Sequence, residues 1–202
     1  MEIFSIKLAK RSANVFIADT DSGEYRLHSD VIVKNNIRVG DVDDSTFFES
    51  VEESEVLIGY NLALKYIGAS IKTEKQIRDY LYRKEYHKDP IDKIILKLKE
   101  YKIIDDKIYA DIFVKSNPNF SRLKLKQKLN SNGIKNDLVD IAIENVDDID
   151  SAMHHAEKFL RNKASTKENI DKMIRRLTYL GYNWDSIRQV LNRLRYDTED
   201  IE

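Results

Sequence analysis

Three stretches constrain this chain more than any other feature. ALKYI (Ala63–Ile67), ADIFV (Ala110–Val114) and AEKFL (Ala156–Leu160) each place alanine, two free positions, an aromatic and a branched aliphatic. They recur at intervals of 47 and 46 residues, and each has a Ser or Thr ten or eleven residues beyond its alanine: Thr73, Ser121 and Thr166. Self-similarity at such a period points to one supersecondary unit repeated along the chain.

Each unit reads as three helices. The first carries the alanine and aromatic. The second opens at the Ser or Thr, as TEKQIRDYLYRK, SRLKLKQKLNS and TKENIDKMIRRL. A hydroxyl there can accept from N–H groups left free in the first helical turn. Aliphatics follow at the fourth and eighth positions beyond: Ile77 and Leu81, Leu125 and Leu129, Ile170 and Ile174. Gly133 and Gly181 stand where the second helix must stop. DPIDKIILKLKEYKI, KNDLVDIAIENV and NWDSIRQVLNRLR supply the third helices, with Asp89 as cap and Pro90 opening the first of them. Tyr66, Phe113, Phe159 and Trp184 fall at packing positions.

The first 43 residues have another period. IFSIKL, NVFIAD and EYRLHS alternate like strands around the turn-forming TDSG, and SDVIVK suggests a short helix capped by Ser29 or Asp30. The expected order is a small β-rich region (1–43), a linking helix with the first repeat (44–104), a second repeat (105–146), a third (147–196) and an acidic tail (197–202). The fold class is mainly α: tandem three-helix repeats in an elongated curved rod, with a small strand-containing N-terminal region. A single such unit cannot bury its apolar face alone, whereas stacked units share one.

Composition excludes several functions. The sequence has no cysteine, which removes disulfides, thiolate catalysis and Cys-ligated zinc, and fits a reducing cytoplasm. Its longest apolar runs are far shorter than the ~20 residues of a membrane span, so no membrane partner is expected. No glycine-rich phosphate loop occurs. The four histidines read as solvated helix residues, and His154 and His155, being adjacent, point about 100° apart rather than at one metal. The acidic pairs Asp43–Asp44, Asp105–Asp106 and Asp147–Asp148 precede helices, where capping and the helix dipole explain them better than a two-metal nuclease. No catalytic residue, metal or cofactor is expected.

Charge is the remaining signal. The formal net charge is −1, yet residues 1–55 hold 6 basic and 12 acidic groups, and residues 56–104 hold 11 and 6. The second helices contribute Arg78, Arg83 and Lys84; Arg122, Lys124, Lys126 and Lys128; and Lys172, Arg175 and Arg176. Aligned along a rod, these would form a basic stripe fit for phosphates or an acidic protein groove. The other reading is that they solubilise exposed faces.

The order ALKYIGASIKTEKQIRDYLYRK, IIDDKIYADIFVKS with SRLKLKQKLNSNG, then LTYLGYNWDSIRQVLNRL resembles RecX, the family of regulatory proteins of the RecA recombinase, over residues 57–195. The head resembles the N-terminal extension of longer members from Gram-positive bacteria. The resemblance implies a non-enzymatic, monomeric, cytoplasmic protein of DNA repair and the SOS response. Such proteins bind in the groove of the RecA nucleoprotein filament and inhibit ATP hydrolysis and strand exchange. Direct binding of DNA through helix-turn-helix-like basic repeats is the alternative. The acidic ending DTEDIE resembles the linker NVDDID, as though a further repeat followed in longer members.

Overall fold

The computed structural model describes residues 1–164 and 166–195, so the acidic tail and Tyr196 lie outside the described residues. The chain divides between Asp105 and Asp106 into two compact units.

In the first unit, β1 (Glu2–Leu8), β2 (Val15–Thr20) and β3 (Gly23–His28) form an antiparallel meander followed by α1 (Ser29–Lys34). A fourth strand, β4 (Gly40–Asp41), pairs with the start of β1 and gives the order β3-β2-β1-β4. Two residues carry no readable period, which is why β4 escaped sequence reasoning. Ile3, Ala18 and Leu27 of the sheet join Ile37 in one core, which Phe47 completes from the long helix α2 (Asp44–Gly68). Tyr25, Phe47 and Phe48 meet edge to face, the arrangement that ring quadrupoles favour.

Two expectations about this head are corrected. The cap of α1 is His28, whose Nδ1 accepts from the Asp30 N–H at 3.2 Å, not Ser29 or Asp30. Nor is His28 solvated: only 3% of it is exposed. Strand β3 carries it inward, and its own N–H donates to the buried Ser54 hydroxyl of α2 at 3.0 Å.

The second half of α2, with α3 (Glu74–Tyr82) and α4 (Lys88–Glu100), makes the first three-helix unit around Ala63, Ile77, Leu81, Ile91, Ile94 and Leu98. Thr73 and Gln76 form a full capping box. Helix α4 begins earlier than expected. His87 occupies its cap position without a side-chain bond, and Asp89 and Pro90 lie within the first turn. Proline is tolerated there because those N–H groups have no intrahelical partner.

The second unit holds two more triplets. One is α5 (Asp106–Ser116), α6 (Arg122–Ser131) and α7 (Asn136–Ile143); the other is α8 (Asp148–Leu160), α9 (Lys167–Tyr179) and α10 (Trp184–Arg193). Their cores centre on Tyr109, Ala110, Leu125, Leu129 and Val139, and on Ala156, Met173, Leu177, Ile187 and Leu191. In all three units the recurring alanine is 0% exposed, and Tyr66, Phe113 and Phe159 pack partly buried against the same cores. Alanine recurs because a larger side chain would hold the helices apart.

The second helices end alike. Glu85, Gly133 and Gly181 have φ of 66°, 87° and 92°, and the N–H of the next residue donates back to Leu81, Leu129 and Leu177. This is the left-handed helix stop with its six-to-one bond. The residue that follows in the second unit, Ile134 or Tyr182, is 3–4% exposed. Tyr182 therefore takes the interior place expected of Trp184, which stands at the first position of α10 and is 45% exposed. The seam of α9 also shifts: Ile170, Met173 and Leu177 are buried, and Ile174 lies at the core margin.

Candidate functional site

Of the ten basic residues expected on the second helices, eight lie there and Arg83 and Lys84 fall in the turn just past α3, which stops at Tyr82; the ten divide by their bonds. Arg78 is half-buried and holds Glu74 at 2.7 Å and Asp92 at 2.5 Å. Burial opposes both charges, but bonds from Lys99 and Arg78 outweigh it and hold the Glu74 carboxyl below its ordinary range. Lys126 meets Asp140 at 2.7 Å, and Lys172 meets Glu168 at 2.6 Å. Among the described residues, Arg83, Lys84, Arg122, Lys124, Lys128, Arg175 and Arg176 have no ion pair.

Helix geometry separates them further. With Leu125 and Leu129 buried on α6, Arg122 and Lys126 fall on one flank and Lys124 and Lys128 on the other. Lys124 lies over the Phe120 ring at 4.3 Å, and Lys84 lies over Tyr80 at 5.9 Å. Sequence reasoning also missed three lysines placed likewise: Lys72 over Tyr66, Lys97 over Tyr60 and Lys163 over Phe159. Cation–π contact fixes these side chains without neutralising them.

Arg78–Asp92 and Lys126–Asp140 are one recurring clasp. Both cations stand five residues beyond the cap Thr73 or Ser121, and both carboxylates nineteen beyond. Counted from the left-handed stops at Glu85 and Gly133, each cation stands seven residues before and each carboxylate seven after; the same places about Gly181 hold Ile174 and Arg188, so the third unit has no such clasp.

Within the second unit, the boundary between triplets is polar and specific. The Ser121 hydroxyl donates to the Leu180 carbonyl at 2.7 Å, and Asp148 accepts from the Arg122 N–H at 2.6 Å. His155 Nε2 lies 2.9 Å from the Asn119 carbonyl. Gly181 fits against this loop because a Cβ there would stand 2.9 Å from the Ser121 hydroxyl. Burial pushes the Asp148 carboxyl above its ordinary range, partly offset by the bond from Arg122. Asp43 and Asp147 cap α2 and α8, as expected of aspartates before helices.

Beside this boundary is an open groove of about 580 Å³, walled by Arg122, Leu123, Lys126 and Asp140 on one side and by Thr178, Gly181 and Tyr182 on the other. No helix of the described residues is long and apolar enough to cross a membrane. Among those residues, no group of three or more His, Cys, Asp or Glu side chains could hold a metal ion. What the arrangement offers is charge and relief for binding a macromolecule.

Comparison with known proteins accounts for this build. The model of the first three-helix domain of RecX matches residues 60–98, which span the end of α2 and nearly all of α3 and α4. The regulatory protein RecX of Clostridium perfringens (strain SM101 / Type A) is 31% identical over 203 residues, covering 96% of both chains. A crystal structure of regulatory protein RecX shares the fold with a TM-score of 0.72 at 19% identity, over 95% of this chain and 98% of that one. RecX from Lactobacillus salivarius aligns with a TM-score of 0.65 at 26% identity, over 70% and 97%. Three triplets of helices that follow a small sheet in the chain, matched to a RecX relative along nearly the whole of both sequences, place this chain in the RecX family of regulatory proteins.

Proposed function

We propose that this chain regulates the RecA recombinase in the cytoplasm by docking on its DNA filament and damping ATP hydrolysis and strand exchange, without chemistry of its own. The observation that carries this reading is the division among the ten cations. Three are held in ion pairs, and among the described residues seven have none, five on α6 and α9, whose opposite faces are sealed in core, and Arg83 and Lys84 just past the end of α3. Cations held that way add little to stability, so their use is in long-range attraction to an anionic partner. A filament of protein wrapped on phosphates offers such a partner along its length.

The test compares the cognate RecA–DNA filament with bare single-stranded DNA. Binding to the filament should be far tighter, and should weaken when Lys124 and Lys128 are both changed to Glu. Equal affinity for filament and bare strand would favour the direct DNA-binding alternative and end the proposal.

A further inference from the structure

We propose that the groove between α6–α7 and the α9–α10 turn anchors one segment of the protein partner, which inserts an apolar side chain and presents a carboxylate to Arg122. This rests on the reading of the chain as a filament-binding regulator, and it assigns the contact to protein rather than DNA.

The walls supply the apolar part. Leu123 is 50% exposed although it stands against Gly181, while Ile143 and Tyr182 line the groove from within. At the α9–α10 turn, Tyr179 and Trp184 are 90% and 45% exposed, so two large apolar side chains beside the groove are left open along with Leu123. Trp, Tyr and Arg are the residue types that dominate binding energy at protein interfaces. A volume of about 580 Å³ suits a few inserted side chains.

The charges supply the specificity. Lys126 is paired with Asp140, and Asp148 accepts from the Arg122 backbone. The Arg122 guanidinium makes no ion pair among the described residues, and Asp148 feels its charge only from beyond ion-pair distance. Arg122 therefore presents a forked guanidinium without an ion pair among the described residues, the form that a carboxylate meets with two parallel bonds. A phosphate backbone is the poorer occupant, since it carries no apolar group to cover Leu123 beside the guanidinium.

The experiment titrates a dye-labelled full-length chain with the cognate RecA filament on single-stranded DNA, and with the bare strand alone. Leu123→Asp and Arg122→Gln change exposed side chains and keep every backbone bond, and circular dichroism checks their folding. Each should weaken filament binding about tenfold or more, and Leu123→Asp should leave binding to the bare strand unchanged. Unaltered filament binding by either folded variant overturns the proposal. Equal losses on filament and bare strand overturn it too, by making the groove a DNA surface. A wild-type chain that ignores the filament removes the functional reading itself, a result distinct from both.

Discussion

Ser121 joins two repeats through one hydroxyl: it donates to the Leu180 carbonyl at 2.7 Å while accepting from the Lys124 N–H at 3.2 Å. The same atom thus caps α6 and fixes the turn of the following triplet. Its counterpart in the third triplet, Thr166, is exposed and makes only a long 3.4 Å cap bond to Asn169.

Ser121→Ala should therefore cost much more than Thr166→Ala. Loss of a cap is worth about 1 kcal/mol, and the Leu180 carbonyl left without its donor adds roughly 1–3 kcal/mol. Urea unfolding of the two variants measures the difference. Equal losses would show that the Ser121 bond to Leu180 contributes nothing.

Two helical glycines should respond in opposite directions. At Gly59 of α2 a Cβ would stand 2.6 Å from Ile94 Cδ1 and from Tyr86 Cε1, whereas at Gly68 it would meet nothing within 4 Å. Gly59→Ala should destabilise by about 1–3 kcal/mol through overpacking, more than helix propensity returns. Gly68→Ala should stabilise by roughly 0.5–1 kcal/mol. Thermal melts of both variants decide it.

The clasp of the second triplet should be measurable as a coupling. Lys126→Ala and Asp140→Ala each remove one partner of an exposed pair, which is worth about 0.2–1 kcal/mol. A double-mutant cycle in urea should return an energy of that size, and a coupling of zero would show that the pair contributes nothing.

Asp148 should give stability an unusual slope with pH. Burial raises its carboxyl above the unfolded value, with the Arg122 N–H opposing. In the window between the unfolded and folded values, the native state binds more protons than the unfolded one. The contribution of this group therefore grows as pH falls through the raised value and is lost as pH rises. Asp148→Asn keeps an oxygen to accept from Arg122 and should flatten that part of the pH–stability curve. An unchanged curve would refute the assignment.

Much of this architecture is legible in the sequence, for physical reasons. The buried alanines Ala63, Ala110 and Ala156 recur because close helix contact leaves no choice of residue, and Thr73, Ser121 and Thr166 because helix starts need an acceptor. What escaped depends on contacts distant in the chain. His28 is buried only because α2 returns over β3, and Trp184 is displaced from the interior only because Tyr182 arrives first. The candidate site was half legible: composition found its cations, and Glu168 holds Lys172 at i, i+4 on its own helix, but Asp92 and Asp140 hold Arg78 and Lys126 only because of how the helices pair. The Ser121–Leu180 boundary and its groove had no sequence signal, since a serine cap looks the same whether or not a second triplet sits on it.

Regulation of a recombinase filament by contact alone is what the proposed function asks of this helical array. The most direct measurement is the DNA-stimulated ATPase of the cognate RecA with and without this chain. The ATPase should fall further as more chain is added, and changing Lys124 and Lys128 to Glu should weaken that fall. An ATPase unmoved by a saturating excess of the folded chain would contradict it.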